Sequence, residues 1–313
     1  MDELDRSLVR FLRDDPRYSN KKIAQSLKID EATVQRRIEK LVSSGMLKLT
    51  TLPNLKMFGY PIRVYVLLQV NHSYLEIIEK QLCQMENLRY IAECIGKADL
   101  FARGDFSSME STLDFIVNDL GKIEGITGID TMHVYRELKR NYVLVDVSNT
   151  LTKLETKMKD VHLFETDIRL ILELQKNARA PLKQLSETVG LSSATIHRRI
   201  KDLTSSGFIK FTAITDDLKA GYPEPFNLRI RTKPDKIMQI ADRLTQFDFI
   251  SLVAIISGQT QIWAGGTSTS AKDLLTHVTQ EINKVEGVIG IESVDILKIL
   301  KNNYTWLSEL NTK

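Results

Sequence analysis

The sequence is written twice. Thr33, Arg36, Arg37, Ile38 and Leu41 recur as Thr195, Arg198, Arg199, Ile200 and Leu203, an offset of 162 that holds without a gap along nearly all of the 313 residues. Asp5, Leu8 and Leu12 match Asp167, Leu170 and Leu174. Gly59-Tyr60-Pro61 matches Gly221-Tyr222-Pro223, and Gly96, Gly104, Gly125 and Gly128 match Gly258, Gly266, Gly287 and Gly290. The glycines weigh most, because a glycine kept in register marks backbone that other residues fit poorly. An internal repeat constrains a fold before any local pattern does. Whatever one copy folds into, the chain contains two.

Each copy opens on helical periodicity. In copy one, residues 2–14 carry Leu4, Leu8, Val9, Phe11 and Leu12 on one face, and Asp14-Asp15-Pro16 ends the helix. Ile23, Ala24 and Leu27 mark a second helix. After a short turn, Val34, Ile38 and Leu41 mark a third at i, i+4, i+7, with Asp30 at its N-cap and Gly45 just past its end. Two short helices about such a turn form a helix-turn-helix. Opposite the apolar stripe the third helix carries donors. Arg36 points nearly away from the core, with Thr33 and Lys40 beside it and Gln35 and Arg37 flanking the stripe. Arg forks onto guanine O6 and N7, and Gln pairs with adenine N6 and N7, so this face suits a DNA major groove. An ordinary solvated basic helix would look similar. In copy two, Pro181 begins the second helix and Ser192 or Ser193 caps the third, whose face shows Thr195, His197, Arg198 and Arg199. Arg37 and Arg199 lie nearer the core than Arg36 and Arg198, in position to anchor a phosphate or a helix end. Met46–Thr51 reads as a strand and Leu52-Pro53-Asn54 as a turn.

From Pro61 the period changes. Val64, Val66, Leu68 and Val70 alternate as in a strand. A helix follows over 74–85, strands over 88–95 and 100–106, a helix to about Leu120, and a last strand over 126–138. The order β-α-β-β-α-β is that of the ferredoxin-like split unit. Such a sheet has helices on one face only, and a second copy is the obvious cover for the other. Gly265-Gly266 falls inside a strand pattern and marks a bulge or close approach. The expected division is 1–58 helix-turn-helix, 59–142 sheet domain, 143–162 linker, 163–220 second helix-turn-helix and 221–307 second sheet domain.

Composition sets limits. Charged residues make up 27% and hydrophobic ones 42%, as in ordinary soluble proteins. No run approaches the ~18 apolar residues of a membrane helix, and the start lacks a signal-peptide pattern, so a cytoplasmic protein with no membrane partner is expected. Cys83 and Cys94 read as reduced thiols. A net charge of +3 requires any nucleic-acid contact to come from local basic faces. The five histidines form no cluster in sequence, and no nucleophile–base pair, metal-ligand set or phosphate loop is visible, so no catalytic residue, metal or cofactor is expected.

Thr-x-x-Arg-Arg-Ile-x-x-Leu-x-x-x-Gly, then Gly-Tyr-Pro, then the split sheet unit with Gly-x-x-Asp between its middle strands, resembles the Lrp/AsnC family of transcription regulators, here in tandem. The resemblance covers both copies apart from the linker and the last few residues. It implies an α+β chain: two winged helix-turn-helix modules, each followed by a ferredoxin-like sensing domain. It implies binding to double-stranded DNA through Thr33, Gln35, Arg36, Arg37 and Lys40 and through Ser193, Thr195, His197, Arg198 and Arg199. It implies a small-molecule effector, an amino acid, near the loops of Gly96 and Asp99 and of Gly258 and Gln261. It also implies assembly into homo-oligomers. In copy two Gln261 replaces the carboxylate of Asp99, and Trp263 and Gly265-Gly266 depart from Phe101 and Arg103-Gly104. The alternative is an enzyme: sirohaem decarboxylases resemble the same fold and also pair two copies. A metabolite-binding adaptor is a third reading, against which the retained arginine pairs count.

Overall fold

The computed structural model describes residues 1–141, 162–216, 219–221 and 224–303. The expected linker lies outside the described residues except for His162, as do Tyr222, Pro223 and the last residues of the second sheet domain.

Copy one begins with α1 (Glu3–Asp14), α2 (Asn20–Leu27) and α3 (Glu31–Ser43). Leu8, Val9, Leu12, Ile23, Val34, Ile38 and Leu41 all turn inward, as their spacing requires. β1 (Leu47–Pro53) follows, then β2 (Ile62–Val70), α4 (Leu75–Gln84), β3 (Leu88–Gly96) and β4 (Leu100–Phe106). α5 (Met109–Asp114) continues through a π turn (Phe115–Asp119), and β5 (Ile126–Arg140) closes the copy. Copy two repeats the order as α6 (Glu165–Lys176), α7 (Leu182–Val189), α8 (Ser193–Ser205), β6 (Ile209–Thr215), β7 (Glu224–Thr232), α9 (Ile237–Leu244), β8 (Ile250–Ile256), β9 (Ile262–Ser268), α10 (Ala271–Thr276) and β10 (Val288–Asn302).

The two sheets join at both edges. β5 pairs with β8 and β10 with β3, all antiparallel, closing an eight-stranded barrel in the order β10-β3-β4-β2-β5-β8-β9-β7. Each copy thereby covers the open face of the other, and neither sheet keeps a free edge. The barrel interior holds Tyr65, Leu67, Phe101, Met132, Ala254, Trp263 and Val294. Phe101 and Trp263, equivalent by the repeat, stack at its centre with ring centroids 4.7 Å apart. Separate cores lie between each half-sheet and its own helices. Gly266 sits where an added Cβ would lie 2.1 Å from the Phe249 carbonyl oxygen, the close approach expected of that pair.

The helix-turn-helix modules are fused as well. The strand expected over Met46–Thr51 is β1, and it finds its partner in the other copy. It pairs along its length with β6, from Leu47 opposite Thr215 to Pro53 opposite Ile209. Leu52 and Pro53 are therefore strand rather than turn. Proline is accepted because it ends the strand, where a missing ladder donor costs little. α1 packs on β6 and α6 on β1, and one hydrophobic core runs through both modules. Arg17 donates to the Ala178 carbonyl at 2.8 Å, and its counterpart Arg179 donates to the Tyr18 carbonyl at 2.7 Å.

Candidate functional site

α3 and α8 are held by the same devices. Asp30 caps α3, its two oxygens accepting from the Thr33 amide and hydroxyl, both at 2.7 Å. Ser192, not Ser193, caps α8: it accepts from the Thr195 amide at 3.2 Å and lies 2.9 Å from the Thr195 hydroxyl. Thr33 and Thr195 thus serve the caps. Arg37 reaches back to Asp2 and to Asp5, the latter at 2.9 Å. Arg199 does the same with buried Asp167, its Nε donating at 2.7 Å, and it also donates to the His162 carbonyl at 3.0 Å. These two guanidinium groups, expected on the DNA face, are occupied in tying each recognition helix to the first helix of its copy. Their carboxylate partners stand in the N-terminal turns of α1 and α6. The Asp2 and Asp5 carboxylates raise the Arg37 pKa, as Asp167 raises that of Arg199.

What remains outward is Gln35, Arg36 and Lys40 on α3, and Ser193, His197 and Arg198 on α8, all exposed. Gln35 leans on Glu39 at 3.0 Å. The pairing of β1 with β6 and the shared core carry both faces on one body.

The Gly-x-x-Asp loops sit at the far end of the barrel. Gly96 and Gly258 take φ of +107° and +108°, which L side chains adopt rarely. Gly96 lies opposite Val294 of copy two, and the amide and hydroxyl of Ser257, beside Gly258, bond to His133 of copy one. Both loops therefore lie on seams between the copies. Asp99 Oδ2 accepts from the Val70 amide at 2.8 Å, and Gln261 Oε1 accepts from the Thr232 amide at 3.0 Å. These are equivalent bonds. The carboxylate lost in copy two leaves a carbonyl oxygen that braces the same strand end, which accounts for Asp or Gln standing there. Asp99 also lies 3.4 Å from His72.

Sequence reasoning missed two arrangements. Lys139 on β5 donates to the Thr245 and Phe247 carbonyls, both at 2.9 Å, past the end of α9. Its counterpart Lys301 on β10 donates to the Cys83 and Met85 carbonyls at 3.0 and 2.9 Å, at the C-terminal end of α4. Each copy clasps the other. The second arrangement lies at the barrel mouth nearest the recognition helices. Arg63 donates to Asp105 at 2.7 Å and to Glu137 at 2.8 Å, while Arg140 donates to the second oxygen of Glu137 at 3.0 Å. Burial alone would raise the Glu137 carboxyl, but Arg140 and Arg63 hold it well below the usual range. Burial pushes the Tyr65 phenol beside it up to about 12. Aligning the two copies would have exposed the network, because its charges have no counterparts in copy two. Beside it lies a cavity of about 170 Å³. A wider depression of about 520 Å³ lies on the outer helices of copy two, and no histidine lines either among the described residues. His277 is taken up by Glu281 at 2.6 Å and by stacking on Phe249. No group of three metal-ligating side chains occurs among the described residues, and no helix among them is long and apolar enough to cross a membrane.

Two recognition helices on a fused head pair, mounted over two half-barrels of ferredoxin-like sheet, define a duplicated helix-turn-helix and sensing-domain protein. Residues 1–42 match the AsnC-type helix-turn-helix domain, 63–144 the Lrp/AsnC ligand binding domain and 163–210 a winged helix-turn-helix DNA-binding domain. The chain is 30% identical over 135 residues to the transcriptional regulator LrpA of Pyrococcus horikoshii, covering 42% of this chain and 96% of that protein. It is 34% identical over 142 residues to the regulator FL11 of Pyrococcus abyssi, covering 45% of this chain and 93% of that one. The chain belongs to the Lrp/AsnC family of DNA-binding regulators with a ligand-sensing domain, in duplicated form. Over its whole length it has the fold of the sirohaem decarboxylase NirDL, with a TM-score of 0.69 at 13% identity and 98% of each chain covered.

Proposed function

We propose that this chain is a sequence-specific transcription regulator and not an enzyme, reading double-stranded DNA with both recognition helices and governed by a small metabolite, an amino acid, bound at sheet-domain interfaces. The observation that carries it is the pair of solvent-facing donor sets, Gln35-Arg36-Lys40 and Ser193-His197-Arg198, on heads that share one core. Arg37 and Arg199 position the helices, and Thr33 and Thr195 cap them. Effector contacts fall to the loops of Gly96 and Asp99 and of Gly258 and Gln261, completed by another chain in a homo-oligomer. A Cβ added at Gly258 would meet nothing closer than Met132 Cγ at 4.0 Å, so there is open space on that side of the loop. The effector acts only by as much as it binds one assembly state more tightly.

The decarboxylase fold does not displace this reading. A tetrapyrrole exceeds the barrel-mouth cavity of about 170 Å³, which already falls short of the ~300–1,000 Å³ of pockets for drug-sized ligands.

The test is binding to the DNA upstream of the chain's own reading frame across a salt series, with Arg36→Ala and Arg198→Ala beside wild type. Losing a base-reading arginine costs ~1–3 kcal/mol on the specific site. Each variant should weaken specific binding by that amount and leave the unfolding midpoint in place. An effect from Arg36 alone would make copy two a scaffold. Absence of salt-dependent DNA binding would remove the regulator reading.

A further inference from the structure

The outer helices of the two copies have diverged in opposite senses. On α5 and its π turn, Met109, Leu113 and Val117 follow one another at four-residue spacing and are 53%, 61% and 54% exposed. Such a row normally faces a core, and here it forms a ridge in solvent. Glu110 and Asp114 run beside it, one turn apart and exposed. Asp114 accepts from Asn118 at 2.6 Å, and among the described residues neither carboxylate meets a basic side chain. In copy two the ridge positions are Ala271, Leu275 and Thr279, and the two acids are replaced by Lys272 and Thr276. The ridge and its acidic flank belong to copy one alone.

Copy two carries the complement. The depression of about 520 Å³ between α9 and the turns that follow α10 is lined by Arg243, Phe247, Lys284 and Val285. Its two carboxylates are already engaged, Glu281 with His277 at 2.6 Å and Glu286 with Lys236 at 3.5 Å. Its two cations are not. Arg243 lies over the Phe247 ring at 5.2 Å from the centroid, Lys284 donates to Gln280 at 3.1 Å, and neither meets a carboxylate among the described residues. In copy one Gln81 stands in place of Arg243. An apolar ridge with two free anions therefore exists beside an apolar-floored hollow with two free cations, one on each half of the chain.

We infer that a second copy of this chain docks there: the Met109-Leu113-Val117 ridge of one chain seats in the Arg243-Phe247-Lys284 depression of the next, with Glu110 and Asp114 facing the two cations. A chain cannot satisfy itself, because the two helical layers cover opposite halves of the barrel. Ridge against ridge would gather four carboxylates, and like charges set together across an interface cost several kcal/mol. The contact is consequently heterologous, and repeats of it close into a ring or run on as an open chain. Identical subunits carry both faces twice. Duplication lets one half keep the ridge and the other the hollow. The surface is separate from the Gly-x-x-Asp loops and does not depend on DNA or effector.

The test uses full-length chains without DNA or effector. Sedimentation of wild type up to roughly 100 µM should show assembly that weakens as salt rises. Leu113→Glu and Arg243→Glu should each weaken it about tenfold or more, with folding checked by the thermal midpoint. Leu275→Glu, the same change at the repeat-equivalent and equally exposed position, should leave it unaltered. The decisive arm mixes the two defective chains. Fluorescently labelled Leu113→Glu retains its hollow and Arg243→Glu retains its ridge, so the labelled chain should bind Arg243→Glu saturably and bind itself about tenfold or more weakly. Wild type that stays a single chain, assembly that survives both folded variants, equal loss in Leu275→Glu, or defective chains that fail to bind one another would each overturn the contact.

Discussion

Lys28 closes α2 with φ +55°, the non-glycine residue with positive φ among those described, while its counterpart Gly190 takes φ +79° in the same turn. A left-handed conformation costs an L residue about 1–2 kcal/mol, part of which glycine returns through the greater freedom of its unfolded chain. Lys28→Gly should therefore stabilise the chain by about 0.5–1 kcal/mol, and a urea unfolding midpoint measures it. A lower midpoint for the glycine variant would mean that the Lys28 side chain contributes more than its backbone costs. The same comparison between copies separates Arg36 from Arg37. They are adjacent in sequence, yet one faces solvent and the other binds Asp2 and Asp5. Helical spacing already set Arg37 nearer the core. Its acidic partners were not legible, because they lie on another helix at a distance that only packing fixes.

At the scale of elements, the local pattern was readable and the pairing was not. Alternation in β2 and the 3.6-residue stripe of α3 are properties of a few consecutive residues, and both elements formed as expected. The partner of β1 lies about 160 residues away on β6, beyond the reach of any local period. Without it, Leu52-Pro53 looked like a turn. The lysine clasps were hidden for the same reason, since each joins a strand of one copy to a helix end of the other. Burial brings Lys139 down from 10.5 to about 8. Between those values the unfolded chain holds more protons than the folded one, so this lysine makes stability rise with pH over that window. Lys139→Met cannot titrate. The stability difference between wild type and Lys139→Met should move in favour of wild type as pH rises from 8 to 10.5, read by urea unfolding at fixed ionic strength. A difference that stays flat would show that the two carbonyls at 2.9 Å already offset the burial of the ammonium.

The whole molecule behaves as a dimer written in one chain. The closed barrel and the single core through both heads join the copies at both ends, although each half-sheet keeps a core of its own against its helices. Duplication in one chain also frees the halves to diverge, which identical subunits cannot do. His197 stands where copy one has Gln35, and Asp202 where copy one has Lys40. The two half-sites of an operator should then be similar but not identical, in contrast to the palindrome that a symmetric dimer reads. Head fusion adds a geometric constraint. α3 and α8 are held by the β1–β6 ladder and by the Arg17 and Arg179 contacts, so their separation cannot follow a change in the DNA. In an operator recovered by selection from random sequence, inserting five base pairs between the half-sites rotates one by about half a turn of the duplex. Such an insertion should reduce affinity to that of a single half-site and lower the slope of binding against salt, because phosphate contacts of one head are lost. Inserting ten should reduce affinity as well, since a rigid pair cannot stretch by ~34 Å. Affinity that survives both insertions would show that the heads bind independently, and the shared core would then have to open on DNA.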